Sequence, residues 1–247
     1  MQSAEEVRMD RPDPAIRQFE NRRAAGDAVA SLLLEFAGRQ SVLVLGLPRG
    51  GIVIAAAVAC RLAAPMDALL VRKLGHPLQP EFAIGAIAIG GVLEMNPGVD
   101  LSGLSAADRV RVIARERAEL DRRDRIYRRG RPALDLSEQV AILVDDGLAT
   151  GATMRAAILA AWRLGAREVV VGVPVGHAAS LDVLTRPPYR ARVLSVIRVA
   201  ALQSISQHYA AFGQVSDDEV CALMASAYRR KIGHPPDGQR PEHTGEK

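Results

Sequence analysis

The sequence predicts an α/β fold in which helices flank a central, mostly parallel, twisted sheet. Short runs of branched apolar residues recur along the chain, over residues 42–45, 140–144, 169–173 and 192–197. Such unbroken runs are typical of parallel strands buried on both faces. Loops containing Gly or other small residues follow several of these runs, and helical patterns rich in Ala and Leu come next. This alternation is typical of β-α-β units.

The N-terminal part of the chain is expected to be an arm followed by a helix. Residues 1–15 are polar and include Pro12 and Pro14, which favours a flexible arm. From Ile16 to Ala37 apolar residues recur at helical spacing, and Gly38 is a suitable helix stop. This helix is expected to pack on the sheet.

The first strand is predicted over Ser41–Gly46, and a glycine-bearing loop separates it from a helix that runs to about Ala63. A loop between a strand end and a helix start is a candidate anion site. Arg49 supplies a charged fork, and Gly50 and Gly51 let backbone amides approach a ligand closely. The pattern matches neither a P-loop nor a dinucleotide fingerprint, and an ordinary turn is the alternative.

A second strand is predicted over Asp67–Val71, ending in a segment that contains Arg72 and Lys73. Two cations at the end of a strand suit pyrophosphate oxygens, although a solvated turn is an equal alternative for Arg72. Between about residues 76 and 99, two strand-like segments flank Gly90-Gly91, which predicts a β-hairpin with a primed turn.

The next segment, from Ser105 to about Arg129, is predicted to be a long exposed helix, since arginines alternate with Glu and Asp at i,i+3 and i,i+4 spacing. The mixed charges make contact with nucleic acid the weaker interpretation.

The stretch from Val140 to Met154 is the most informative part of the chain. Its apolar strand ends at the adjacent acids Asp145 and Asp146, and ligands of open α/β sheets bind at the carboxyl ends of strands. A small-residue loop and a helix start follow, and this combination attracts phosphate. Carboxylates would repel phosphate, so we expect them to accept hydrogen bonds from ribose hydroxyls. Ribose 5-phosphate therefore fits the stretch better than free phosphate; an ordinary strand-turn-helix is the alternative.

The remaining elements are simpler. A helix to Leu164, a strand over Glu168–Val173 with an outgoing loop Pro174–His177, a last strand over Arg192–Ile197 and a capped helix from Ser216 are predicted. His177 is a candidate acceptor contact or proton carrier, although a lone loop histidine is more often incidental. One domain is expected over residues 16–230, with a disordered tail over residues 231–247.

Composition sets the outer limits. The net charge of +4 does not argue for nucleic acid and suits a polyanionic small substrate equally well. Cys60 and Cys221 are too far apart in sequence for a metal-ligand pattern, so they are expected to be inert thiols. With no apolar leader and no run long enough to span a membrane, a cytoplasmic protein is expected.

Residues Leu143–Met154 resemble the phosphoribosyl-pyrophosphate (PRPP) motif of type I phosphoribosyltransferases. The resemblance implies that Asp145 and Asp146 bind the ribose hydroxyls. It implies a loop for the 5′-phosphate, formed by Ala149, Thr150, Gly151, Ala152 and Thr153. It implies a pyrophosphate site formed by Arg49, Gly50, Gly51, Arg72 and Lys73, with a non-proline cis peptide often present in the first of these segments.

More widely, residues 17–229 resemble a bacterial group of predicted phosphoribosyltransferases. The inserted hairpin then corresponds to a mobile flap, and a hood over the acceptor would combine the N-terminal helix, the hairpin and the Tyr209 region. The acceptor candidates are Glu81, His177, Tyr209 and Phe212. Ala149 stands where hypoxanthine-guanine enzymes have an acid, which argues against a 6-oxopurine acceptor.

The expected reaction replaces the pyrophosphate at C1 of PRPP with a nitrogen nucleophile. Lys73, Asp145 and Asp146 are the expected catalytic residues. Mg²⁺ is expected to bind mainly through PRPP oxygens and water, with Asp145 contacting it at most through water. A homodimer is expected. The alternative is a non-catalytic PRPP or nucleotide sensor that regulates a partner, because one fold supports both uses.

Overall fold

The computed structural model describes residues 18–96, 99, 103–129 and 131–231. The predicted N-terminal arm lies outside these residues, as does the predicted tail except for Lys231. The helices are α1 (Arg22–Leu32), α2 (Gly50–Leu62), α3 (Ala106–Tyr127), α4 (Ala152–Arg163), α5 (Ala178–Leu184) and α6 (Asp217–Lys231). The strands are β1 (Val42–Gly46), β2 (Met66–Ala68), β3 (Val71–His76), β4 (Gln79–Ala88), β5 (Val92–Met95), β6 (Val140–Val144), β7 (Glu168–His177) and β8 (Arg192–Val199).

A five-stranded sheet forms the centre of the fold, in the order β2-β1-β6-β7-β8, and every neighbouring pair is parallel. The predicted fold class is therefore confirmed. Along β1, Val42 and Val44 belong to the apolar core on the α1 and α2 side, whereas Leu45 belongs to the core on the α4 side. Because both faces are covered, these strands are apolar throughout.

Helix α1 lies against β7 at a position where the strand has no side chain. A Cβ atom at Gly172 would lie 2.9 Å from Val29 Cγ1, so glycine permits the close approach of helix and strand. The helix is shorter than the predicted segment. It starts at Arg22, where the Asn21 side chain accepts a hydrogen bond from the amide of Ala24, and a 3-10 turn over Leu34–Phe36 follows it.

A second sheet is antiparallel and contains β3, β4 and β5. The predicted hairpin is confirmed as β4 and β5, with φ angles of 75° and 73° at Gly90 and Gly91 in its turn. We refer to β3, β4 and β5 together as the flap sheet.

The prediction of one strand over Asp67–Val71 is wrong. That segment is divided between the two sheets, because β2 ends at Ala68 and β3 begins at Val71. Its buried apolar residues continue across the break, so the apolar run does not reveal it. Arg72 and Lys73 consequently lie within β3, opposite Ile87 and Ala86, and not in a loop.

The predicted outgoing loop Pro174–His177 is also wrong, because β7 continues to His177. The extension pairs with β8, where Val175 lies opposite Ile197, and the amide of Leu148 donates to the carbonyl of Val175 at 2.8 Å. β8 continues two residues past its predicted end, and the short helix α5 is not among the predicted elements.

The long helix predicted after Ser105 is confirmed as α3. The Ser105 side chain caps it by accepting from the amide of Asp108 at 3.1 Å. Glu119 pairs with both Arg122 and Arg123 at 2.7 Å, as its charge spacing predicts. Within the part of the chain that the structure describes, every helix is too short or too polar to cross a membrane.

Candidate functional site

The strand order places a crevice between β1 and β6. From β1 the chain passes through α2 to β2 on one side, whereas from β6 it passes through α4 to β7 on the other. Ligands of open α/β sheets bind at such a switch point, outside the carboxyl ends of the strands. The two loops that the sequence singles out, residues 47–51 and 145–151, flank this point. They are joined by a 3.0 Å hydrogen bond from the amide of Leu47 to the carbonyl of Val144.

Two glycines bring these loops into contact. A Cβ atom at Gly51 would lie 2.7 Å from the carbonyl oxygen of Val144, and one at Gly50 would lie 2.0 Å from Asp146 Oδ2. Any larger residue would separate the loops. The peptide bond between Pro48 and Arg49 is cis, which agrees with the family resemblance.

A cavity of about 180 Å³ lies beside the end of β6. Its walls are formed by Lys73, Ala83, Asp145, Ile205 and the segment 147–154. The structure therefore brings together Lys73, Asp145 and all five residues predicted to bind a phosphate. Gly151 adopts φ 74° directly before α4 begins. The first amides of a helix have no acceptor within the helix, so the amides that start α4 can bind an anion.

The two acids are partly buried and influence each other. Asp145 Oδ1 accepts a 2.9 Å hydrogen bond from the amide of Asp146. Burial raises the pKa of Asp145 well above its ordinary value, and the neighbouring Asp146 charge raises it further. Burial also raises the pKa of Asp146, against the lowering effect of a hydrogen bond from Arg22. Only the ionised carboxylates accept hydrogen bonds on both oxygens.

Arg22, at the start of α1, is a site residue that the sequence analysis missed. Its Nε donates to Asp146 Oδ2 at 2.8 Å, its Nη1 donates to the carbonyl of Gly213 at 2.7 Å, and its guanidinium lies 3.8 Å from the ring centroid of Phe212. No motif marks it, since only the fold brings α1 to the end of β6. A ribose hydroxyl that binds Asp146 must share the carboxylate with Arg22 or displace it.

Two acceptor candidates, Tyr209 and Phe212, lie beneath this ion pair. The ring of Tyr209 is buried between Phe19 and Phe212, with centroid distances of 5.6 and 4.8 Å. Its hydroxyl donates to the backbone carbonyl of Asp146 at 2.6 Å. In this position Tyr209 supports Asp146 and offers no ring face to an acceptor.

The predicted pyrophosphate cations have different surroundings. Arg49 Nη1 lies 3.8 Å from Asp217 Oδ1 at the start of α6, and the hydroxyl of Tyr127 donates to the same carboxylate. These hydrogen-bonding partners hold the pKa of Asp217 below its ordinary value, while burial and the Asp217 carboxylate raise the pKa of Tyr127 to about 12. Arg72 is paired with the buried Glu116 at 2.6 Å, so contact with pyrophosphate would require this pair to open.

The other acceptor candidates are not joined to the cavity. Both ring nitrogens of His177 have partners within the fold, Ser180 Oγ at 3.1 Å and the carbonyl of Ala200 at 3.2 Å. The side chain of Glu81 lies outside the described residues.

A second missed residue, Arg155, is buried in α4 immediately after the phosphate loop and donates to the carbonyl of Thr150. A single arginine within an Ala-rich helical stretch was the one sequence feature that marked it.

Comparison with known proteins gives consistent results. Residues 16–201 match the phosphoribosyl transferase domain family. A relative from Mycobacterium tuberculosis (strain ATCC 25618 / H37Rv), whose name gives the phosphoribosyl transferase family and no substrate, is 41% identical over 221 residues. The match covers 87% of this chain and 48% of the relative, so the chain spans about half the length of the curated relatives it matches. The crystal structure of TT1426 from Thermus thermophilus is 39% identical, with a TM-score of 0.69, over 85% of this chain and 98% of that one.

Proposed function

Because the chain belongs to the phosphoribosyl transferase family, we propose that it transfers the 5-phosphoribosyl group of PRPP to a nitrogenous, nucleobase-like acceptor and releases pyrophosphate. One observation carries the proposal. A single cavity is lined by an acid at the end of a parallel strand, a small-residue loop that opens a helix, and a lysine from the flap sheet. These groups match the three charged or polar parts of PRPP.

In the proposed complex, the 5′-phosphate lies on the loop 149–153 and the two ribose hydroxyls donate to Asp145 and Asp146. Thr150 and Thr153 line the cavity and can add hydroxyl donors to the backbone amides. The alignment holds C1 in a fixed position relative to the acceptor, which contributes to the rate by removing the entropy cost of orientation.

The transition state for loss of pyrophosphate resembles a ribosyl oxocarbenium ion. The acids near the ribose stabilise its positive charge, while Lys73 and Arg49 stabilise the departing anion. Arg49 would leave Asp217 for the pyrophosphate, a small movement since their separation of 3.8 Å is long for an ion pair. The flap sheet, which carries Lys73, would exclude water from the reacting carbon.

Mg²⁺ fits this site as a partner of the substrate. Among the described residues, no group of three or more His, Cys, Asp or Glu side chains could hold a metal ion. Asp145 lies on the cavity wall and can contact the ion through water, while PRPP oxygens supply the other ligands. When bound, the ion adds positive charge at the leaving pyrophosphate.

The acceptor and the oligomeric state complete the proposal. The acceptor would lie between the flap sheet and the Arg22–Phe212 contact, on the open side of Asp146. Ala149 offers no proton route to a 6-oxopurine. A homodimer is proposed from the family resemblance alone, and light scattering tests it.

The test is pyrophosphate release from PRPP and Mg²⁺, measured over a panel of nucleobases and related nitrogen heterocycles. The proposal expects turnover with at least one acceptor and a loss of about 100-fold or more in Lys73→Met, because that change removes a cation from the leaving group. Tight PRPP binding without turnover on any acceptor would favour the alternative, a PRPP or nucleotide sensor.

A further inference from the structure

Arg155 is a buried charge with no direct place in the cavity. It lies in the first turn of α4 with 7% of its surface exposed, among Ala and Ile residues of the core. A buried guanidinium costs free energy unless its donors are satisfied, so its partners show what it does.

The partners come from two separate elements. Nη1 donates to the carbonyl of Thr150 at 2.9 Å, and Nη2 donates to Oδ1 of Asn96, just after β5. Nε has no hydrogen-bond partner and lies 3.9 Å from Oε1 of Glu94 in β5. The guanidinium thus spans the gap between the phosphate loop and the flap sheet.

The flap end of this bridge continues to the cavity wall. Asn96 Nδ2 donates at 2.6 Å to the carbonyl of Ala83, a residue of β4 that lines the cavity. Glu94 is fixed from the other side, because the hydroxyl of Tyr189 donates to it at 2.5 Å. A movement of the flap sheet therefore changes the position of both acceptors of Arg155.

The loop end controls the direction of an amide. The carbonyl of Thr150 and the amide of Gly151 belong to one planar trans peptide, in which they point in opposite directions. Because Arg155 holds the carbonyl, the Gly151 N–H is directed away from Arg155, which is outside the cavity lining, to the side where the phosphate is proposed to bind.

We infer that Arg155 is a positioning residue that couples the flap sheet to the 5′-phosphate loop. Phosphate bound on the loop then favours one arrangement of the flap, and an ordered flap favours phosphate binding. This inference rests on the proposed function, since it assumes that the loop binds the phosphate of PRPP.

A double-mutant cycle between Arg155→Lys and Asn96→Ala tests the coupling, with ribose 5-phosphate affinity measured by calorimetry. Lysine keeps the charge but cannot hold Thr150 and Asn96 in one planar fork. Each single variant is expected to weaken binding about 5- to 20-fold, although neither residue lines the cavity. The double variant is expected to bind no more weakly than the weaker single variant, because both changes break one connection. Multiplying losses, or unchanged affinity in Asn96→Ala, would overturn the inference.

Hydrogen exchange without ligand provides a second readout that does not depend on the proposed function. In Asn96→Ala the amides of residues 149–153 are expected to exchange about 10-fold faster, as the loop loses its link to the flap. The control is Arg163→Lys, an exposed arginine in the last turn of the same helix, which is expected to leave both readouts unchanged. Wild-type protein that does not bind ribose 5-phosphate would refute the proposed function, whereas wild-type exchange in the loop of Asn96→Ala would refute the coupling.

Discussion

Adding one methyl group at Gly50 perturbs the proposed ribose contact without removing a polar atom. The new Cβ would lie 2.0 Å from Asp146 Oδ2 and 3.0 Å from Arg22 Nε. Since non-bonded contacts are optimal at about 3.5 Å or more, the carboxylate must move by about 1.5 Å. That displacement breaks its 2.8 Å hydrogen bond with Arg22 and removes it from the place where the ribose hydroxyl is expected.

The two consequences of Gly50→Ala differ in size. A lost hydrogen bond to a charged group costs about 1.5–3 kcal/mol. For stability, this loss is partly offset because Gly50 is in α2, where alanine is favoured by about 1 kcal/mol. The free energy of unfolding should therefore fall by about 0–2 kcal/mol. For PRPP binding nothing offsets the loss, so affinity should fall about 10- to 150-fold.

Calorimetry with PRPP and Mg²⁺, together with urea unfolding, measures both effects. Gly213→Ala is the matched control, because a Cβ there meets nothing within 4 Å although its carbonyl also accepts from Arg22. The control should bind PRPP as the wild type does. Wild-type PRPP affinity in Gly50→Ala would refute the assignment of Asp146 as a ribose ligand.

Three further predictions address the same pocket. Asp145→Asn should weaken PRPP binding about 10- to 100-fold yet raise the free energy of unfolding at neutral pH, because burial raises the pKa of Asp145 and makes its ionised form costly to the fold. In pH-dependent urea unfolding, the stability difference between variant and wild type should shrink as pH falls through that raised pKa; a constant difference would contradict the argument. Tyr209→Phe, which removes the donor to the carbonyl of Asp146, should lower the free energy of unfolding by about 1 kcal/mol and PRPP affinity several-fold, and an unchanged urea midpoint would show that the hydrogen bond contributes nothing. Thr150→Val should weaken calorimetric ribose 5-phosphate binding about 10-fold, whereas equal affinity would exclude its hydroxyl from the phosphate site.

Sequence alone reached the fold class and the centre of the site, and the reason is local. The apolar run Val140–Val144, the acids after it and the small-residue loop are contiguous, so strand, turn and helix start are all specified within fifteen residues. The resemblance to a known family rested on the same contiguous stretch. The hairpin around Gly90-Gly91 was predictable for a similar reason, since its turn chemistry is local.

What the sequence did not reveal depends on contacts between distant segments. Arg22 and Asp146 are 124 residues apart, and Arg155 and Asn96 are 59 apart, so only the folded chain shows that they are partners. The break between β2 and β3 was hidden because Leu69 and Leu70 are buried, which continues the apolar pattern through the change of sheet. Apolar periodicity reports burial and does not tell which sheet buries a residue.

A crystal structure with PRPP and Mg²⁺ is the most direct test of the central claim. The account predicts that the 5′-phosphate contacts the backbone amides of residues 149–153 and that the ribose hydroxyls contact Asp145 and Asp146. Arg22 should then share or release the Asp146 carboxylate. PRPP bound at any other edge of the sheet, with the Arg22–Asp146 pair intact and the loop empty, would contradict it.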